Sequence, residues 1–216
     1  NSINGIVEVL NYFLALKDVM KRRDNRWAEI NKNLAKCRKI AVMLKQKNPD
    51  QVMRLYKNTI MVYRKNSKFN KHRGYAEEPP ISGDTIAHMH VDDPHFGICI
   101  TQHFLFHAAC YKSDQPNEVI EGDWALIDVV CHELAHFTAH GEDEWDPSTS
   151  TWNAHGKAFQ KAYQKFLRQM TLEVISGNYY TSINDIDLDK LLPLAHCGYL
   201  DEWEKEDAFW DTVLAK

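Results

Sequence analysis

Apolar residues recur at three- and four-residue spacings along several stretches of this chain, the mark of helices with one buried face. The clearest stretch is 124–140, where Trp124, Leu126, Ile127, Val130, Leu134 and Phe137 form an apolar side. Asp123 is placed to cap its start and Gly141 to stop it. A second pattern over 153–170 carries Phe159, Ala162, Tyr163, Phe166, Leu167 and Met170. Between the two, residues 142–151 are polar and turn-forming, with Asp146-Pro147 followed by four hydroxyl residues. That connection can fold the second helix back across the first. Upstream, the spacing predicts three helices over roughly 4–20, 25–47 and 50–66, with Asn48-Pro49 separating the last two. The period changes to two over 85–91 and again from Phe96 through Ile98 and Ile100, which predicts strands. A last, acidic helix containing tryptophan is expected around 201–214. The fold class is therefore α+β, with a small mixed or antiparallel sheet. Glu77-Glu78-Pro79-Pro80, between Gly74 and Gly83, interrupts the helical pattern. It divides the chain into a helical region 1–75 and a second domain 84–216.

Charge sharpens that division. Residues 1–75 hold 18 Lys/Arg against 5 Asp/Glu, whereas residues 76–216 hold 8 against 25, so balances of +13 and −17 underlie the net −4. Three readings of the basic region stand side by side: a solvated face, a surface packed on the acidic half, or a site for a polyanion such as nucleic acid. It has no recognisable nucleic-acid fold and few exposed-looking aromatics beyond Tyr63, Phe69 and Tyr75, so weak or no nucleic-acid binding is expected. No apolar stretch approaches the ~18 residues of a membrane span. The amphipathic start of the chain does not read as a signal peptide, although residue 1 is Asn and the natural start can lie upstream. Five scattered cysteines without a Cys-x-x-Cys argue against a disulfide framework and for a reducing, cytoplasmic compartment. Cys131 is expected to be a buried core thiol.

The chemistry concentrates in His132-Glu133-Leu134-Ala135-His136. Two histidines four residues apart share one helix face, so both imidazoles can bind one divalent metal. Glu133 is then placed to take a proton from a metal-activated water. A catalytic zinc commonly takes three protein ligands and keeps one position for water. Candidates for the third are His140, the acidic run Glu142, Asp143 and Glu144, and His155. His140 continues a step of four that rotates away from the first two, and the acidic run reads as a solvated turn. His155 is the best of them, because it opens the second helical pattern and is followed by Gly156, which leaves room for close approach. A second histidine group, His88, His90, His95, His103 and His107, matches no metal-ligand spacing and reads as side chains on strands and turns. Tyr179, Tyr180 and Tyr199 are each candidates to face the cleft.

At these residues the chain resembles the SprT-like (Spartan-type) branch of the zincin metalloproteases. The resemblance covers roughly 84–170 and rests on His132, Glu133 and His136, on His155-Gly156-Lys157-Ala158-Phe159, and on the strand 96–101 before the motif. The metzincin pattern fails at Ala139 and Glu142. The stretch between the second and third ligand is long for the SprT-like branch, and no zinc ribbon follows, Cys197 being the one cysteine after the motif. The resemblance implies a zincin-like fold, Zn2+ held by His132, His136 and His155, and Glu133 as general base in peptide-bond hydrolysis of a protein substrate. The strand 96–101, if it borders the cleft, could pair with an extended substrate. Two other readings remain. One is a binding or regulatory module whose metal is structural, closed by a fourth ligand from His140, Glu142 or Asp143. The other is a zinc amidase acting on a non-peptide bond.

Overall fold

The computed structural model describes residues 2–51, 55, 59–63, 86–90, 97–108 and 123–192. The segment 74–83, the helix expected around 201–214, and His95, Cys110, Cys197 and Tyr199 lie outside the described residues.

The chain opens with one helix, α1 (Ser2–Lys47), of 46 residues. This corrects the reading of two helices over 4–20 and 25–47. The charged stretch Lys21-Arg22-Arg23-Asp24-Asn25 resembles a connection, yet it contains no proline or glycine, and Lys and Arg are good helix formers. Asn48-Pro49 does end the helix, and the Asn48 side chain donates to the Leu44 carbonyl at 2.7 Å. The C-terminal half of α1 is core: Ile30, Ile40 and Leu44 are fully buried. Each such side chain contributes about 1.5–3 kcal/mol on burial. A partly exposed pair such as Lys47–Glu173 (2.5 Å) is worth at most ~1 kcal/mol. Apolar packing, more than charge, holds this part of α1.

Three strands form a mixed sheet in the order β1-β3-β2, comprising β1 (Ile60–Tyr63), β2 (Ala87–His90) and β3 (Gly97–Thr101). β1 runs parallel to β3, with Ile60 opposite Ile98, and β2 runs antiparallel to it, with Ala87 opposite Ile100. The expected helix over 50–66 is therefore wrong at 60–63. Ile60 and Val62 alternate into the core, and pairing with the buried β3 overrides a weak helical spacing. A short helix, α2 (Gln102–His107), follows β3 directly, its first turn capped by Thr101, whose Oγ1 accepts from the Phe104 N–H at 3.2 Å.

Next comes α3 (Trp124–Thr138), buried along Leu126, Ile127, Val130, Cys131 and Leu134. The segment 142–151, expected to be a loop, instead forms much of a hairpin. Its strands are β4 (Glu144–Asp146) and β5 (Thr151–Asn153), and Trp145 stands opposite Trp152 with ring centroids 5.4 Å apart. α4 (Lys157–Ile175) then packs across α3 through Phe159, Ala162, Phe166 and Met170. It starts four residues later than the sequence pattern suggests. α5 (Asn178–Asp185) and α6 (Leu188–Leu191) complete the described chain.

Asp123 occupies the capping position of α3, but its carboxylate is used differently from the expectation. One oxygen accepts from Lys36 Nζ of α1 at 2.7 Å and the other from the Tyr179 hydroxyl of α5 at 2.9 Å. The carboxylate still lies at the positive end of α3. Three helices are thereby tied at one point. Tyr179 is fully buried there, so of the candidate tyrosines it serves the core, while Tyr180 is exposed.

Candidate metal centre

The side of α3 left free of the core is marked by Asp128, His132 and His136, each half-buried and four residues from the next. The two imidazoles meet through their Nε2 atoms, 3.2 Å apart. His155 arrives from the turn between β5 and α4, where its N–H donates to the Asn153 side chain at 2.9 Å. Its Nε2 lies 3.1 Å from His136 Nε2. The ligand atoms of all three lie within 4.8 Å of one another, and this is the only such cluster among the described residues. Nitrogens bound at 2.0–2.1 Å to one tetrahedral ion would stand roughly 3.3 Å apart. The separations of His136 from His132 and from His155 fit that spacing, so the three histidines could hold a metal ion.

Gly156 makes the arrangement possible for a reason different from the one expected. A side chain there would meet Glu144 of the hairpin, with an added Cβ only 2.9 Å from Glu144 Cγ. Glu144 is in turn the cap of α4, since its Oε1 accepts from the Lys157 N–H at 3.1 Å. The crowding thus comes from the hairpin. Glu144 is occupied at the helix start, and neither it nor His140, Glu142 or Asp143 joins the histidine cluster. His103 and His107 of the second histidine group lie beside each other, with centroids 4.6 Å apart, and do not join it either.

Phe159 is the floor of the site. It is buried, and its ring lies 5.0, 4.5 and 4.6 Å from those of His132, His136 and His155. Tyr163, one turn further along α4, stacks on Phe159 and donates its hydroxyl to Asp128. Asp128 and Tyr163 escaped the sequence reading as site residues. A signal was present, because Asp128 precedes His132 by the same four residues that separate the two histidines.

Electrostatics favour ligand chemistry. Desolvation by burial lowers the His136 pKa to about 4, helped by the facing imidazoles of His132 and His155. His132 is shifted down as well, by burial first and then by His155, against an opposing pull from Asp128. Both rings are neutral near pH 7, with lone pairs available to a cation. Glu133 is only 4% exposed, and burial pushes its carboxyl up to about 8. Its Oε2 has no hydrogen-bond partner among the described residues. A buried carboxyl oxygen without a partner costs about 1–3 kcal/mol, and a cation with its bound water beside it would remove that cost.

One expectation about the substrate is overturned. β3 is the central strand, paired on both edges, so it cannot accept an extended chain. Among the described residues the strand that packs beside α3 with one unpaired edge is β2. No family model, curated protein or solved structure matches the chain. No helix among the described residues is long and apolar enough to cross a membrane.

Proposed function

We propose that this chain is a zinc-dependent metallopeptidase with a zincin-like fold, most similar to the SprT-like branch, acting on a protein substrate. The observation that carries the reading is the meeting of three histidine Nε2 atoms beside a buried Glu133 whose Oε2 has no partner among the described residues. Zinc held by His132, His136 and His155 would supply Lewis acidity, bringing the pKa of a water towards neutrality and polarising the peptide carbonyl. Glu133 takes the proton of the attacking water and returns it to the leaving amine. Burial alone raises the Glu133 carboxyl to about 8, and a cation held beside it would draw it back to the ionised form that a general base needs. Phe159 fixes the three rings, and Asp128, held by Tyr163, places a negative charge behind His132. The edge of β2 that is unpaired among the described residues gives an extended substrate a backbone to pair with, which suits a polypeptide better than a small amide. No fourth protein ligand joins the cluster among the described residues, which favours an open site over a closed structural one.

Metal analysis by mass spectrometry and cleavage of an unstructured protein test this together. Wild type and Glu133→Gln should each bind about one zinc per chain, while cleavage falls by about 10²-fold or more in the variant. Equal cleavage by the two proteins would overturn the mechanism.

A further inference from the structure

The acidic half of the chain contains a concentrated exception to its charge. Of the eight Lys/Arg in residues 76–216, four (Lys157, Lys161, Lys165 and Arg168) lie within twelve residues of α4, and no Asp or Glu falls between 157 and 172. All four are exposed and line one groove of about 990 Å³ along the outer face of α4. Among the described residues none of the four is paired with a carboxylate. His155, one of the three clustered histidines, lines one end of the same groove together with Glu144, whose carboxylate is engaged by the Lys157 N–H. A chain of lysines on a helix is commonly a solvated face; this one borders a cavity that runs from a metal-ligand candidate.

We infer that this groove is a substrate subsite for an acidic polypeptide segment, binding Asp or Glu side chains that flank the scissile bond. The inference rests on the peptidase reading of the same site. Lys157, Lys161 and Lys165 follow one another at four-residue steps, about 6 Å along a helix axis. Alternate side chains of an extended peptide recur at about 6.7 Å, so successive acidic residues on one face of the substrate meet successive cations. The four cations span roughly 16 Å, the length of about five extended residues. Gln160, Gln164 and Gln169 lie among them and offer amides to the peptide backbone. The net charge of −4 does not oppose this, because charges beyond about 10 Å are screened at moderate salt while the groove cations act at contact. Nucleic acid fits less well. Apart from His155 no ring lines the groove, and single strands are held by stacking as well as charge.

The test is fluorescence anisotropy with the full chain carrying Glu133→Gln and loaded with zinc. The probes are a labelled peptide of about ten residues with Glu at alternate positions, its Gln counterpart, and a single-stranded oligonucleotide of similar length. The acidic peptide should bind about tenfold or more tightly than the Gln peptide at low salt, and lose that advantage by about 200 mM salt. Lys161→Glu/Lys165→Glu/Arg168→Glu should abolish the preference while keeping the zinc. Should that variant fail to fold, Lys161→Gln/Lys165→Gln/Arg168→Gln should reduce the preference severalfold. Equal binding of the two peptides, or a preference that survives either triple change, would overturn the subsite. Tighter binding of the oligonucleotide than of the acidic peptide would overturn the choice of ligand. Binding is read without turnover, so the peptidase reading stands or falls separately on cleavage by wild type.

Discussion

At the scale of single residues, His155 and His140 are distinguished by where the backbone puts them, although each follows the helical motif within twenty residues. His140 is exposed beyond the end of α3, whereas His155 is carried back by a hairpin until its Nε2 stands 3.1 Å from that of His136. His155→Ala should therefore lose most of the bound metal, and His140→Ala should retain it, as measured by metal content after dialysis. Loss in both, or in neither, would remove the three-histidine assignment. Glu144 is the other residue whose position decides its role. Its acidity made it a ligand candidate, but it is bound to the start of α4 and fills the space that Gly156 leaves open.

Between elements, Asp123 is the point where α1, α3 and α5 meet, through Lys36 and Tyr179. Removing the carboxylate would leave the Tyr179 hydroxyl and a partly buried ammonium without their partner. Asp123→Ala should cost about 2–4 kcal/mol in unfolding free energy. Tyr179→Phe removes one hydrogen bond and should cost about 1 kcal/mol. Urea denaturation followed by circular dichroism measures both, and a loss below ~0.5 kcal/mol for Asp123→Ala would mean that the tie is incidental. The sequence showed a capping residue at this position. That its charge is used between helices depends on residues 87 positions before it and 56 after it.

Across the whole molecule, α1, α3, α4 and α5 bury several groups that resist ionisation. Burial pushes the Cys37 thiol up to about 12, with the nearby Asp123 charge adding to it, and raises Cys131 well above its ordinary value. Tyr163 and Tyr179 are raised too, by burial first and then by Asp128 and Asp123 respectively. All are acids whose folded pKa exceeds the unfolded one, so the sign is fixed. Below about pH 9 both states hold these protons and they give no pH dependence. Above it the unfolded chain releases protons that the folded chain keeps. Stability should therefore fall as pH rises from about 9, by up to ~1.4 kcal/mol per pH unit for each fully buried thiol. Thermal melts between pH 8 and 11 check this, and a flat profile would contradict it. Cys37, Cys99 and Cys131 are buried, Cys131 in the core as expected. Lys36 and Lys47 of the basic region are paired with Asp123 and Glu173 of the acidic half, so part of the charge asymmetry is met within the chain.

The sequence alone was sufficient for what depends on near neighbours. Helical spacing placed α3 and α4 to within a few residues, and the four-residue step put His132 and His136 on one face. The stop at Asn48-Pro49 followed from proline's missing N–H, and the small sheet from alternation at 85–91 and 96–101. Tertiary structure decided what depends on partners distant in the chain. Residues 60–63 became a strand because β3 was there to pair with them, and β3 lost its exposed edge for the same reason. The hairpin depended on a tryptophan pair across two short strands. That Glu133 is buried, with no partner for its Oε2 among the described residues, follows from how the core closes around it. Local pattern fixes which face a side chain takes; what that face meets is set by long-range packing, which no window of sequence contains.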